Sequence, residues 1–409
     1  MRNYILALVL SCLPFQLFAQ MGVNDSIPVL GRWSKERINK WYADQPWMVG
    51  CNYYPATAIN QIEMWQESTW DPKQIDKELA WAEEIGMNTL RVYLHDLVWA
   101  ADEQAFYQRM DDFLTICEKH KIRAFFVFFD DCHFPNPSLG KQPEPVKAYH
   151  NSGWVNCPSR ELAHRYAIGE VSEVEKAHLK NYVQRTMSRF KDDNRVVMWE
   201  LYNEPGRGTG EEGDMAKVKV RSAIGDQSKQ LVYDSWVWAR AINPSQPIMS
   251  TTAGSIGQIN IRINRINSDL HSIHTYGPPK GVRARVKEYQ KDGRPVIVTE
   301  WLARTRNSTV EDCLPVMKEL NVGAINWGFV SGKSGTIWDW KSRKDAEGKK
   351  RSVVHEREVG NIVKKGEEFP EPEVWFHDIF RMDGSPYSQS EIEIFKQLTK
   401  DNKASYPSK

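Results

Sequence analysis

Val196-Val197-Met198-Trp199-Glu200-Leu201-Tyr202-Asn203-Glu204-Pro205-Gly206 is an apolar run that ends abruptly in an amide, a carboxylate, a proline and a glycine. So dense a set of Val, Met, Trp and Leu reads as a strand covered on both faces, the pattern of a parallel sheet. Pro205 has no N–H to give a ladder and Gly206 permits a turn, so the strand stops there. Asn203 and Glu204 are thereby presented at the strand's carboxyl end, where α/β barrels keep their chemistry. Pro295-Val296-Ile297-Val298-Thr299-Glu300-Trp301 sets a second carboxylate in the same position.

Outward from these two stretches, strands and helices alternate. Further strands are expected at 48–54, 89–94, 124–129, 247–252, 269–277 and 323–329. Helices are expected at 34–42, 103–121, 173–190, 215–242, 282–292, 309–320 and 388–399, and one more opens at the N-cap and N1 pair Asp71-Pro72. Regular alternation predicts a parallel sheet. Eight strands with chemistry at their carboxyl ends predict an α/β fold, a closed (β/α)₈ TIM barrel with long loops after strands 3 and 8. One catalytic domain at 46–400 follows a polar lead-in at 20–45, and residues 341–370 read as a solvated charged insertion.

Residues 133–171 are far longer than an ordinary strand-to-helix connection. Trp154, His150 and Asn151 lie in this stretch, and its aromatic content argues against disorder. The stretch reads as a wall or lid over a substrate. Together with the insertion after strand 8 it suggests a cleft closed at one end, hence exo-action or a short, branched substrate.

A net charge of +1 gives no field to attract nucleic acid or an anionic membrane. Sixteen Trp and fifteen Tyr serve a large core and can also stack on sugar rings. Residues 1–19 read as an export signal, with Arg2, an apolar run and a site before Gln20. The run is too short for a transmembrane span. The expected place is periplasmic or extracellular, and Val9-Leu10-Ser11-Cys12 offers a lipoprotein anchor through Cys12 as the alternative. Loss of Cys12 leaves five of six cysteines, so a complete disulfide set is excluded. Cys51, Cys117 and Cys313 read as buried thiols, while Cys132 and Cys157 bracket the long loop and a bridge between them is open. No Cys or His spacing suggests a zinc site, and no metal or cofactor is expected.

Two carboxylates ending buried strands are what retaining glycoside hydrolysis needs. The run 199–205 resembles the Asn-Glu-Pro signature of clan A glycoside hydrolases, nearest to family 5, the cellulase and mannanase family. The resemblance extends roughly from Trp47 to Trp327. It implies that Glu204 is the acid/base and Glu300 the nucleophile. It sets Arg91 beside the nucleophile, Asn203 against the sugar's 2-hydroxyl, Tyr276 on the nucleophile and Trp327 under the cleaved sugar. His274 lies two residues before Tyr276, on the same strand face, and a satisfied core histidine is its plainer reading. Glu200, in mid-strand, reads as part of a buried polar network. An Arg within an apolar run is costly unless paired, so Arg91 needs a carboxylate. Asp130, Asp131 and His133 depart from the family, whose third strand usually ends in histidine. An acidic pair there can bind sugar hydroxyls, and Trp154 in the long loop can bind substrate beside it.

In that chemistry Glu300 attacks the anomeric carbon, while protonated Glu204 donates to the leaving oxygen and then deprotonates water. Arg91 would favour ionised Glu300, and a drier pocket would raise Glu204. Alternatives are a carbohydrate-binding protein on a disabled hydrolase scaffold and a transglycosylase. The sugar, its linkage and the oligomeric state are not encoded in any of these signals.

Overall fold

The computed structural model describes residues 23–132, 134, 136–206, 228–252 and 256–402. The expectations for the export signal, Cys12, His133 and the first part of the helix at 215–242 lie outside the described residues.

Eight parallel strands form the barrel: β1 Val49–Asn52, β2 Thr89–Tyr93, β3 Arg123–Asp130, β4 Val196–Asn203, β5 Ile248–Met249, β6 His271–His274, β7 Val296–Glu300 and β8 Gly323–Asn326. They pair in the order β5-β4-β3-β2-β1-β8-β7-β6. The seam between β5 and β6 is bridged by Thr251 opposite Ser272 and by Thr252 N–H donating to the Ser272 carbonyl at 3.0 Å. β5 keeps only two residues of the expected six, because the chain leaves the ladder at Ser250. Gly50 faces Thr89 across the β1–β2 ladder, and a Cβ there would stand 1.7 Å from the Thr89 carbonyl oxygen. Only glycine permits so close an approach.

Amphipathic helices cover the barrel for the reason their spacing implies. Glu103–Lys119 buries Phe106, Met110, Phe113, Leu114 and Cys117, one stripe at helical period. Fully burying a Phe or Leu is worth roughly 1.5–3 kcal/mol, so this face fixes the helix against the sheet. Asp71 caps Pro72–Glu84, its side chain accepting from Gln74 N–H, as the Asp-Pro pair predicts. At the other end of the barrel, Lys35–Asp44 brings Ile38, Trp41 and Tyr42 onto Met48, Phe125, Met198, Met249, Ile297 and Ile325. This lead-in helix is the bottom plug.

The insertion at 341–370 differs from expectation. It carries a short turn, Trp340–Arg343, and a helix, Val353–Glu358, and it is not simply a solvated excursion. Arg351 donates to the carbonyls of Ala148 and Lys147, and Arg357 to those of Glu144 and Ser152, all in the loop after β3. Val146 pairs antiparallel with Ile362. Arg351 and Arg357 are thus spent on the neighbouring loop's backbone, while Lys344, Asp345, Glu347, Lys349 and Lys350 face solvent as the charge density implies.

Candidate active site

The barrel's carboxyl end gathers side chains from β2, β3, β4, β6 and β7. Glu204 directly follows β4 and takes a left-handed backbone, φ 41°. That conformation is uncommon for a residue with a side chain and costs of order 1–3 kcal/mol. The turn persists because Gly206 completes it at φ 86° and donates its N–H to Asp131 Oδ2 at 2.6 Å. Glu300 is the last residue of β7. A carboxylate oxygen of each glutamate lies within 4.8 Å of the other, with His274 between them. His274 Nδ1 is 3.0 Å from Glu204 Oε1 and 3.3 Å from Glu300 Oε2.

Arg91 organises the floor of the site and is fully buried. Its Nε and Nη2 donate to the two oxygens of Glu200 at 2.7 and 2.8 Å, a bidentate pair. Nη1 donates to Glu300 Oε1 at 2.9 Å and to Asn52 Oδ1 at 2.8 Å, and Nη2 also reaches Asn203 Oδ1 at 2.8 Å. Burial alone would lower the Arg91 pKa, but the Glu200 carboxylate, Tyr93 and Glu300 outweigh it and hold the guanidinium well above its ordinary value. Glu200 therefore sits in the buried polar network its mid-strand position implies, as the counter-ion of Arg91.

Two phenols complete the cradle of Glu300. Tyr276 donates to Oε2 at 2.6 Å and Tyr93 to Oε1 at 3.3 Å. Burial raises the pKa of both phenols well above the usual range, and the Glu300 charge adds to it, so both remain donors at neutral pH. Sequence reasoning missed Tyr93, although it lies two residues after Arg91 on a strand, the spacing that returns to the same face.

The Asn203 amide is held from both sides. Its oxygen accepts from Arg91, and its Nδ2 donates to Asp130 Oδ1 at 3.0 Å. Asp130 Oδ2 accepts from the Trp154 indole at 3.0 Å. Asp130 thus fixes Asn203 and Trp154. Asp131 corrects the expectation that it binds sugar. It is fully buried, and its oxygens accept from Tyr202 hydroxyl at 2.8 Å, Gly206 N–H at 2.6 Å and Ser228 hydroxyl at 2.7 Å. It ties β4, its turn and the following helix together. Trp327 follows β8 at the mouth, 4 % exposed, packed by the rings of Tyr54, Tyr93 and Trp154 at 6.3, 6.0 and 5.8 Å. Trp154 is itself 1 % exposed, a wall element rather than an open stacking face.

The cysteines answer the question of a Cys132–Cys157 bridge that the sequence leaves open, and Cys51, Cys117 and Cys313 are buried as expected. All five described cysteines are free thiols. Cys157 exchanges backbone hydrogen bonds with Asp130, and its thiol turns to Asp96 Oδ1 at 3.4 Å. The Cys132 thiol points into the site and donates to Glu204 Oε2 at 3.0 Å. Side chains aimed at different carboxylates do not form a bridge. No sequence signal marks Cys132 as a site residue.

Two groups of donors among the described residues converge closely enough for a cation, Glu204 with His274 and Glu300, and His95 with Asp96 and Cys157. In the first, Arg91, Tyr276, His274 and Cys132 already engage the carboxylate oxygens. In the second, Asp96 accepts from His178 Nε2 at 2.9 Å and faces His95 Nδ1 at 3.1 Å. Burial would raise the Asp96 pKa, but its bonds to both imidazoles reverse the sign and hold it low. Both groups are complete hydrogen-bond networks.

What the arrangement can do is present one carboxylate to a reacting centre under a cation and two phenols, and another beside a histidine and a thiol. The family model for cellulase, glycosyl hydrolase family 5, matches residues 53–333. Among solved structures, GH5_18 from Streptomyces cattleya in complex with GlcNAc is similar at 9 % identity, over 88 % of this chain and 82 % of that one, with a TM-score of 0.54. The endo-beta-1,4-mannanase from Thermotoga petrophila is similar at 12 % identity, over 88 % and 77 %, with a TM-score of 0.50. Bacteroides uniformis beta-glucuronidase 2 is similar at 12 % identity, over 87 % of this chain and 35 % of that one, with a TM-score of 0.52. At such identities the likeness is one of fold. No curated protein matches. The family match spans more than half of the chain and takes in both carboxylate-bearing strand ends, and on that ground the chain belongs to the cellulase family, glycosyl hydrolase family 5, and is an O-glycosyl hydrolase.

Proposed function

We propose that this hydrolase cleaves β-glycosidic bonds by double displacement with net retention, Glu300 acting as nucleophile and Glu204 as acid/base. The observation that carries the reading is the approach of the two carboxylates to within 4.8 Å. Retaining enzymes keep the pair roughly 5–5.5 Å apart, whereas inversion needs about 6.5–9.5 Å to admit a water. Arg91, Tyr93 and Tyr276 all donate to Glu300 and so hold in place the carboxylate that attacks the anomeric carbon. Glu204 protonates the departing oxygen. Once Glu300 is an ester its charge is gone, and Glu204 can take a proton from the water that releases the sugar.

Asn203, locked between Arg91 and Asp130, is oriented to serve the 2-hydroxyl of the bound sugar. Carbohydrate is thus the substrate class. We also propose export, with cleavage before Gln20, which N-terminal sequencing of the secreted protein would check.

The test is a panel of aryl β-glycosides of glucose, mannose, galactose, xylose and N-acetylglucosamine, assayed with wild type and Glu300→Gln. A 2-deoxy-2-fluoro analogue of the accepted sugar then traps the glycosyl-enzyme for peptide mapping. Hydrolysis by wild type alone, with the label on Glu300, is the expected result. Equal hydrolysis by both proteins, or a label elsewhere, would sink the assignment.

A further inference from the structure

Glu204 delivers its proton to the oxygen that leaves, so the leaving group lies toward β4 and the attacked sugar lies away from it. In a ring of eight strands, β8 stands across the mouth from β4. The far side of the attacked sugar is therefore bounded by the loops that follow β8 and its neighbour β1, together with whatever packs on them. These loops do not lie apart. They are knitted to each other and to the long loop after β3.

The knitting is extensive. Arg351 and Arg357 hold four carbonyls of the β3 loop at 2.7–3.3 Å. Val363 N–H donates to the Pro145 carbonyl at 2.8 Å and Lys147 N–H to the Asn361 carbonyl at 3.1 Å, so the two loops share a short ladder. His150 N–H donates to Ser342 hydroxyl at 2.8 Å. On the other flank the β1 loop joins in: Asn60 Nδ2 donates to the Gly153 carbonyl at 2.9 Å and Gln61 Nε2 to the Val155 carbonyl at 2.6 Å. Gly153 is packed so tightly that a Cβ would stand 2.4 Å from Ile59.

Where the three loops meet they leave a wall of aromatic rings. Trp154 lies 5.0 Å from Tyr54, 5.1 Å from Tyr93 and 5.8 Å from Trp327. Its indole is tethered to Asp130, the residue that also fixes Asn203. From the β8 loop, Trp340 packs at 5.2 Å against Tyr276, which bonds the nucleophile. An open cleft for an internal stretch of polysaccharide needs this side free for a second and third sugar. Here it is filled by the buried rings of Tyr54, Trp154 and Trp327, with the half-buried Trp340 beside them.

We infer that the site is blind beyond one sugar on the side away from the leaving group, and that the enzyme removes single residues from the non-reducing ends of β-linked glycans. The inference rests on the double-displacement reading with Glu204 as acid/base, which fixes the direction of the substrate. Each event is hydrolysis of the terminal glycosidic bond, with water supplying the hydroxyl to the released sugar and the proton to the shortened chain.

The test uses two sets of probes built from the same five sugars, aryl β-monoglycosides and β-linked pentasaccharides labelled at the reducing end. The expected result is aryl release from a monoglycoside and pentasaccharide shortened one residue at a time, the labelled tetramer appearing before trimer or dimer. Label appearing first in dimer and trimer, with the monoglycosides refused, would overturn the blind wall and leave the hydrolase reading standing. No cleavage of either set would overturn the hydrolase reading itself, and the inference with it.

The wild-type product pattern decides alone, and the double variant Arg351→Ala/Arg357→Ala locates the block. Neither arginine touches the carboxylate site, so monoglycoside hydrolysis serves as the folding control. Opening the clasp should raise the direct release of the aryl group from an aryl disaccharide by about tenfold relative to the monoglycoside. An unchanged ratio would overturn the assignment of the block to these two loops.

Discussion

The thiol of Cys132 donates a 3.0 Å hydrogen bond to Glu204 Oε2, while His274 Nδ1 stands at 3.0 Å from the other oxygen of the same carboxylate. Cys132 is half-buried, whereas the other four described cysteines are buried, so it is the thiol best placed to meet a reagent. Iodoacetamide should therefore inactivate the enzyme, with the carbamidomethyl group on Cys132. Cys132→Ala should resist the reagent and change kcat by less than about tenfold, since a neutral hydrogen bond contributes about 0.5–1.5 kcal/mol. Inactivation of the alanine variant at the wild-type rate would show that the thiol is not the target.

Tyr276 donates at 2.6 Å to the nucleophile and makes no other hydrogen bond among the described residues. A hydrogen bond to a charged group is worth about 1.5–3 kcal/mol, so Tyr276→Phe should lower kcat about ten- to a hundredfold. The fold should survive, because the ring still packs on Trp340. Circular dichroism and steady-state kinetics on an aryl glycoside separate the two effects.

Replacing Arg91 should cost stability as well as activity. Glu200 is fully buried and holds a bidentate pair with Arg91, so Arg91→Met leaves a buried carboxylate without its cation. Breaking a buried pair by removing one partner costs about 3–5 kcal/mol. The double variant Arg91→Met/Glu200→Gln should regain part of the lost melting temperature and none of the activity, since Glu300 still lacks its cation. A double variant no more stable than the single one would show that the pair is not the source of the loss.

Three buried carboxylates set the alkaline side of the stability profile. Burial pushes Glu78 up to about 7, against bonds from Gln74, Ala56 and Tyr53, and pushes Asp131 and Asp378 up to about 6. These groups hold protons more tightly folded than unfolded, where carboxylates titrate near 4. Their stabilising contribution is full below about pH 4 and is lost as pH rises through about 6 to 7. Melting temperature should fall across that window, and Glu78→Gln should flatten its upper part. Identical slopes for the two proteins would exclude Glu78 as a contributor.

Asp96 acts in the opposite direction. The imidazoles of His178 and His95 hold its pKa low, against its burial. A carboxylate lowered in the folded state contributes stability at neutral pH that is lost as pH falls through its folded value. Asp96→Asn should destabilise the protein at pH 7 more than at pH 3, where the carboxylate of the unfolded chain has begun to take up protons while the folded one keeps its charge. Equal destabilisation at the two pH values would contradict the ion-pair account.

The sequence alone determined the barrel and the placement of its two carboxylates. An apolar run of strand length, halted by Pro205 and Gly206 or followed by Trp301, fixes where a strand ends, and a parallel barrel turns strand ends into a site. It also determined that Arg91 needs a buried counter-charge, because an arginine in such a run is otherwise too costly. The tertiary structure alone decided which carboxylates Arg91 meets and which acid of the Asp130–Asp131 pair faces the site. It alone turned the Cys132 thiol toward Glu204 and away from Cys157. It also decided that the charged stretch after β8 clasps the loop after β3. The reason is physical: strand limits follow from local patterns of apolar residues, proline and glycine. A guanidinium held by carbonyls some two hundred residues away leaves no pattern in the chain, since every residue offers the same carbonyl.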